Sequence, residues 1–338
     1  MRPFALLGLA VLSASTAYAQ DGIGFDQVSN QDQAGTNTID QATLEIFAGQ
    51  LDYNTSVDLR QTGVNTVNSV VYNGDLSLVI QRFHGTQSLT NTMELAGHAI
   101  GGVVFQSGTN IAGSIKSDTL TLADQLFAAD ARQLILNNAE FALLTGSIGQ
   151  RGENIANVAE AEYAIGTAIQ TIELGAVQQV DNRLALAAMA SVGAHISQYG
   201  QNSGNVMRSN TVDSATRVFA GDQIVHNTVT LAELTDGLIE QRGVNIANFI
   251  QSSRIGSISQ ISSGTQVVIN EVIGPDGKVV KGDNIIQTAD NIVNMTVLTP
   301  PDGGNDDGIL SVEQDADFPQ ASSGGDGSQT ANSATINR

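Results

Sequence analysis

Gln150-Arg151-Gly152-Glu153-Asn154-Ile155-Ala156-Asn157 is the stretch whose reading decides the fold of this chain. It returns as Gln241-Arg242-Gly243-Val244-Asn245-Ile246-Ala247-Asn248, and an earlier copy reads Gln61-Thr62-Gly63-Val64-Asn65-Thr66-Val67-Asn68. The shared frame is Gln-x-Gly-x-Asn-x-small or apolar-Asn, and an internal repeat has to be settled before any architecture is assigned. Gln, Gly, Asn and Ala at alternate positions point to one face of a β-strand, whereas on a helix they would spread around the cylinder. The intervening positions vary freely, with Arg151 and Glu153 in one copy, Arg242 and Val244 in another, and Thr62 and Val64 in a third. Repetition on one face and variation on the other make the repeated face the buried one. Two residues before the glutamine, on that same face, there is often an apolar residue: Leu59, Val104, Ile148, Ile196, Ile239 or Ile285.

Weaker copies fill the intervals. Gln106-x-Gly108-x-Asn110 and Gln198-x-Gly200-x-Asn202 keep the glycine. Those headed by Gln87, Gln133, Gln178, Gln223 and Gln266 carry Leu89, Ile135, Val180, Val225 and Val268 in its place, and the one headed by Gln287 has Ala289 before Asn291. Gln33-x-Gly35-x-Asn37 precedes them all. The copies fall into nested sets of four, with minor units of roughly 22–23 residues, inside the window that marks solenoids and arrays. The expectation is therefore an all-β chain, a β-solenoid of about 11–12 coils with one minor unit per coil. Its length would be on the order of 55 Å at about 4.8 Å per coil.

A buried face of Gln, Gly and Asn holds little apolar surface, but it can hold amide ladders in which each carboxamide donates to one neighbouring coil and accepts from the other. An unpaired buried amide costs about 1–3 kcal/mol, which explains why the residue type recurs. The ladder residues expected from the frame are Gln61, Gly63, Asn65, Gln106, Gly108, Asn110, Gln150, Gly152, Asn154, Gln241, Gly243, Asn245, Gln287 and Asn291. Glycine at the third position relieves crowding beside the ladder and permits a corner. Residues 123–144 and 184–199 are rich in Ala and Leu and have a helical alternative. The repeat runs through both at Gln133 and Gln198, which favours strands.

Around this region the chain divides simply. Met1-Arg2-Pro3, an apolar run from Phe4 to Ala14, and Ala17-Tyr18-Ala19 before Gln20 read as a secretory signal peptide, residues 1–19. That apolar run is too short to span a bilayer. Residues 20–32 are polar and expected to be flexible, 33–298 form the solenoid, and 299–338 are an acidic Gly/Ser-rich disordered tail. Gly274-Pro275-Asp276-Gly277-Lys278 predicts a turn of a projecting hairpin. Asp302-Gly303-Gly304-Asn305-Asp306-Asp307-Gly308 resembles a calcium loop, but with Gly308 at the glycine position the two outer ligand positions fall on Gly303 and Gln314. No metal site is therefore expected, and calcium enters only as a screening cation.

The 34 Asp and Glu against 14 Lys and Arg give a net charge of −20. That excludes nucleic acid and anionic membrane surfaces as natural partners. With no cysteine, an exported chain has no disulfide framework and no thiol chemistry. His84, His98, His195 and His226 stand at no metal-ligand spacing, and there is neither a phosphate-binding glycine loop nor a nucleophile elbow. No catalytic residue, cofactor or metal is assigned, and the expectation is that the chain is not an enzyme.

Gln-x-Gly…Asn-x-Ala in units of this length resembles the curlin repeat of bacterial curli subunits, which are secreted, solenoid-like functional amyloids. Curlin repeats usually place two residues between Gly and Asn. Here one residue separates Gly152 from Asn154 and Gly243 from Asn245, so the strand is expected to run straight through. A related resemblance is to the holdfast anchor proteins of stalked bacteria, also exported and repetitive. The resemblance implies a secreted protein of the outer-membrane surface or extracellular matrix, acting in adhesion or biofilm by β-mediated association. Its partners would be itself or a curli-like subunit, with extracellular polysaccharide as a second class. The alternatives are a monomeric carbohydrate-binding adhesin and, further off, a solenoid polysaccharide-degrading enzyme.

Overall fold

Equivalent glutamines lie side by side along the molecule, and they are 43 to 48 residues apart through most of it. In this computed structural model the described residues are 16–19, 23–40, 58–187, 194–231, 234, 237–274, 285–299, 309–316, 320–323 and 326–336. Every element among them is a strand, including those over 123–144 and 184–186 and from His195 on.

The central coils show the plan. Each has one long strand and one short strand: β7 (Val103–Phe127) with β8 (Arg132–Leu144), β9 (Ser147–Ile172) with β10 (Val177–Leu186), β11 (His195–Phe219) with β12 (Asp222–Thr230), and β13 (Leu238–Ser262) with β14 (Thr265–Ile273). Long strands pair in parallel with long ones, and short with short. Before them come β1 (Thr16–Ala19), β2 (Ile23–Ser29), β3 (Gln33–Asp40), β4 (Leu59–Val71), β5 (Asp75–Phe83) and β6 (Thr86–Ile100). There β4 and β5 together pair along β7 as one interrupted long strand, and β3 pairs with β6. After them come β15 (Ile285–Leu298), β16 (Ile309–Ala316), β17 (Gln320–Ser323) and β18 (Asp326–Ile336).

One coil therefore takes two minor units, one on each sheet, and the expected count of 22–23-residue coils is corrected. The Gly-bearing frames from Gly63 to Gly243 lie on the long-strand sheet and the Leu, Ile or Val versions on the short-strand sheet, with Gly35 on β3 the exception at the first end. First limbs of β4, β7, β9, β11, β13, β15 and β18 stack as seven levels. At about 4.8 Å per step that is on the order of 30 Å, half the length expected from one unit per coil.

The long strand is bent at the last asparagine of the frame. Asn68, Asn157, Asn205, Asn248 and Asn294 have φ between 50° and 56°, and Gly113 takes the same corner at 70°. A positive φ suits Asn and Gly among all residues. The corner thus falls at the eighth position and not at the glycine, where one was allowed, and the strand runs straight from Ser147 past Gly152 and Asn154, as the strict alternation led one to expect. Beyond the corner the chain goes out over residues 158–161 and returns over 164–172. A coil so has a broad layer, with residues 147–156 facing β10, and a narrow lobe, with the outgoing and returning limbs facing each other.

Apolar columns alternate with polar ones across this section. One closes the open end of the broad layer and includes Val104, Ile148, Ile196, Ile239, Phe141 and Leu184. A second fills the narrow lobe with Ile115, Ala159, Ile165, Met207 and Ile250. A third sits between them around Phe127, Ala156, Ile172 and Phe219.

At the margins the segment expected to be loose contains β2, which pairs in parallel with β5 and antiparallel with β1. In the stretch read as a tail, β16, β17 and β18 continue the parallel pairing onto β13, β14 and β15. The first fifteen residues of the leader and the Pro275–Lys278 part of the hairpin lie outside the described residues.

Candidate functional site: amide ladders and the rod ends

All fourteen ladder residues expected from the frame fall on the long-strand sheet and in one register. Gln61, Gln106, Gln150, Gln198, Gln241 and Gln287 are consecutive partners, as are Asn65, Asn110, Asn154, Asn202, Asn245 and Asn291. Asn154 and Asn245 have no exposed surface. The amides bond along the rod: Gln150 Nε2 donates to Gln106 Oε1 at 2.8 Å, and Gln198 Nε2 donates to Gln150 Oε1 at 2.7 Å. Asn110 Nδ2 donates to Asn154 Oδ1 at 2.9 Å, and Asn154 Nδ2 to Asn202 Oδ1 at 2.9 Å.

The two ladders run in opposite directions. Each glutamine donates to the coil before it and each asparagine to the coil after it, and the short-strand sheet obeys the same rule at Gln133, Gln178, Asn137 and Asn182. The orientation is fixed from across the core. Gln150 Nε2 also reaches the carbonyls of Asn137 at 3.1 Å and Arg183 at 2.8 Å, while Asn154 Nδ2 reaches that of Gln179 at 2.9 Å. A carbonyl only accepts, so each amide must turn its NH₂ group towards it.

The glycine of the frame makes room for the opposite sheet. A Cβ on Gly152 would lie 2.3 Å from Val180 Cγ1, one on Gly200 2.4 Å from Val225 Cγ1, and one on Gly243 2.2 Å from Val268 Cγ1. The exchange of Gly for Leu, Ile or Val between strong and weak copies is thus one packing rule: a small residue on one sheet faces a branched one on the other.

Sequence reasoning missed a third glutamine column, on the returning limb of the narrow lobe. Gln81, Gln125 and Gln170 donate backwards at 2.7–2.8 Å, to Gln27, Gln81 and Gln125 in turn. Their only signal was the spacing of 44 and 45 residues, since no Gly or Asn follows in frame. At the next coil the column holds Arg217, which is fully buried. Its Nε and Nη2 donate to Gln170 Oε1 at 2.9 and 2.7 Å, Nη2 also donates to the Asn205 carbonyl, and Nη1 has no partner. Burial pushes its pKa well below the usual guanidinium range. Corner asparagines form a fourth column: Asn157 Nδ2 to Asn205 Oδ1 at 3.0 Å, and Asn205 Nδ2 to Asn248 Oδ1 at 2.9 Å. Gly113 interrupts it.

The outward face carries isolated charge pairs. His84 Nδ1 lies 3.1 Å from Asp130, and His195 Nε2 lies 3.1 Å from Glu240. Asp181 meets both Arg183 and His226, at 3.1 and 3.4 Å. Arg151 lies over the Tyr199 ring at 5.4 Å. Burial raises the Tyr199 pKa, helped by the Glu153 charge and opposed by Arg242 and Arg151. Among the described residues no group of three His, Asp or Glu side chains is placed to hold a metal ion.

Among the described residues β3 is the edge strand of the short-strand sheet at the first end of the rod. Gln33 and Gln61, the first rungs, donate to backbone carbonyls, at Thr66 for one and at Asn37 and Thr92 for the other. Neither β3 nor β4 carries lysine or proline, the usual devices that blunt a strand edge.

Fold and core define a class: a parallel two-sheet β-solenoid with a carboxamide-ladder core. Compared with family models, curated proteins and solved structures, the chain matches none of them.

Proposed function

We propose that this chain is an exported, non-enzymatic structural protein of the cell surface or extracellular matrix that works by end-to-end β-stacking, with copies of itself or with a partner of like coil. The single observation that carries this reading is the uniform direction of the ladders. Because glutamines all donate one way and asparagines all donate the other, the rod has a direction and its two ends are unlike. Contacts between unlike ends do not close on themselves and build filaments. The unprotected β3 and β4 edges supply the backbone groups. Cleavage of the leader after Ala19 would take β1 away and bare β2. The resemblance of the frame to curlin repeats, and the more distant one to holdfast anchor proteins, supports the same assignment to adhesion and biofilm matrix.

The net charge of −20 opposes contact between copies, so assembly should be promoted by salt or calcium. The mature chain beginning at Gln20 is expected to sediment as long species and bind thioflavin with rising salt or calcium. No change in either across the series would end the assembly reading. Polarity is tested with the chain's own lack of cysteine. Thr66→Cys and Thr330→Cys variants, which lie in one column of the long-strand sheet at its two ends, mixed and oxidised, should cross-link to each other and not each to itself.

A further inference from the structure

The bends between the outgoing and returning limbs of the narrow lobe stack along the rod and leave a groove of about 530 Å³. It runs past five coils, from Tyr72 through Ser117, Ala161 and Ser209 to Ser252. We propose that this groove binds an extended, uncharged polysaccharide chain lying parallel to the rod axis, about one sugar ring to each coil. The site is separate from the rod ends, so this inference stands or falls apart from the stacking reading.

Four observations lead there. The first is charge. Lys116, Glu160 and Arg208 are register partners on successive coils, and Arg208 Nη1 is 2.8 Å from Glu160 Oε1. Asp118 and Glu162 add negative charge beside them. A lining so mixed, on a chain with net charge −20, gives no purchase to a polyanion.

The second is a pair of unused hydroxyls. Ser117 and Ser209 lie on the coils either side of Ala161, and both Oγ atoms are buried without a hydrogen-bond partner. Ser117 is only 5% exposed. Buried hydroxyls nearly always have partners, and unpartnered ones mark a place where something else supplies them. The next serine, Ser252, is satisfied by the carbonyls of Asn210 and Arg254, so the gap is local to the Ala161 level.

The third is an aromatic ring bonded to Glu162, one of the residues that line the groove. Between Ser117 and Thr119 there is one residue, whereas between their partners Ala161 and Ala164 there are two, so β9 bulges here. The extra length presents Tyr163, which is 56% exposed. Bulges re-aim side chains in this way. A hydrogen bond to Glu162, and the charge of that carboxylate, raise the Tyr163 pKa and hold the phenol as a donor. An exposed, oriented ring of this sort stacks on the C–H face of a sugar, its apolar body and polar tip serving both sides of such a ligand.

The fourth is pitch. Each coil advances about 4.8 Å, comparable with one ring of an extended glycan, and each coil offers at least one polar or charged side chain to the groove. A hydroxyl-bearing polymer with a matching repeat meets a fresh set of partners at every step. Glu160 is committed to Arg208 and Glu162 to Tyr163, which leaves the groove suited to holding a chain.

The test uses the whole mature protein and titration calorimetry with cellohexaose, chitohexaose and maltohexaose as uncharged probes and a hyaluronan hexasaccharide as the acidic one. Binding to at least one uncharged probe is expected, little changed by salt. Tyr163→Ala, at an exposed position that should leave folding intact, is expected to weaken it at least tenfold. Ala161→Ser, which puts a hydroxyl between Ser117 and Ser209, should weaken it by several fold with the circular dichroism spectrum unchanged. Failure of all three uncharged probes, salt-sensitive binding of the acidic probe alone, or full affinity in Tyr163→Ala would each overturn the proposal.

Discussion

The broad layer and the narrow lobe of this solenoid are built from the same coils, yet they keep the repeat with very different fidelity. In the broad layer the Gln column runs unbroken from Gln61 to Gln287 and the Asn column from Asn65 to Asn291. In the narrow lobe the Gln column meets Arg217, the corner Asn column is cut by Gly113, and the bend of β9 gains a residue. Among the described residues, four of the five buried side-chain atoms without a hydrogen-bond partner belong to the corner and the lobe, on Asn68, Ser117, Ser209 and Arg217. The difference teaches where the physics demands regularity. A rung shared by two sheets is bonded above, below and across, so a changed residue strands several partners together. A bend near the surface strands one, and is free to diverge into a groove.

The comparison breaks most easily at the broad layer. Asn154 bonds to Asn110, Asn202 and the Gln179 carbonyl, and Asn245 to Asn202, Asn291 and the Val267 carbonyl. Replacing both by leucine leaves buried donors and acceptors unpaired at two levels, each worth about 1–3 kcal/mol, so a loss of several kcal/mol is expected. Denaturant unfolding followed by circular dichroism measures it. An unmoved midpoint would show that the ladder does not stabilise the broad layer.

The next effect has the opposite sign and lies in the lobe. Arg217→Gln restores the column from Gln170 to Gln260 and removes a buried cation with an unpartnered nitrogen. A gain of about 1–3 kcal/mol is expected from relieving that group. If the variant is instead less stable, Arg217 has a counter-ion or packing role, and the lobe is less of an irregular copy than its bonding suggests.

Much of the broad layer was legible in advance. The two-residue spacing of Gln150, Gly152 and Asn154 gave strand and buried face together, since a period of two has no other reading at that length. The coil length was not legible, because facing sheets carry near-identical frames and a one-dimensional repeat does not say whether successive copies stack or face each other. The substitution of Gly152 by Val180 in the alternate copy was the available clue, since two bulky residues cannot meet across a thin core. The corner at Asn157 was hidden because an asparagine serves equally in a ladder and at positive φ. The groove was hidden because Ser117, Ala161 and Ser209 become neighbours only through the 44–48-residue stacking.

The smallest effect concerns Asp181, on the outer face of the otherwise regular short-strand sheet. Burial alone would raise its pKa, but contact with His226, the Arg183 guanidinium and the Gln179 amide outweigh it and hold the carboxyl below its ordinary range. A carboxyl whose folded pKa lies below its unfolded value contributes stability in full above the unfolded value, about 3.9, and loses it as pH falls through the folded one. Asp181→Asn should therefore cost on the order of 0.5 kcal/mol near neutrality, as expected for a partly exposed pair. Below about pH 4 the difference from the parent should shrink towards nothing. Thermal melts of both proteins from pH 7 to pH 3 follow the convergence. A constant offset down to pH 3 would mean that Asp181 acts through its packing against the neighbouring coil, and that the outer face of the broad layer is held by shape as its core is held by amides.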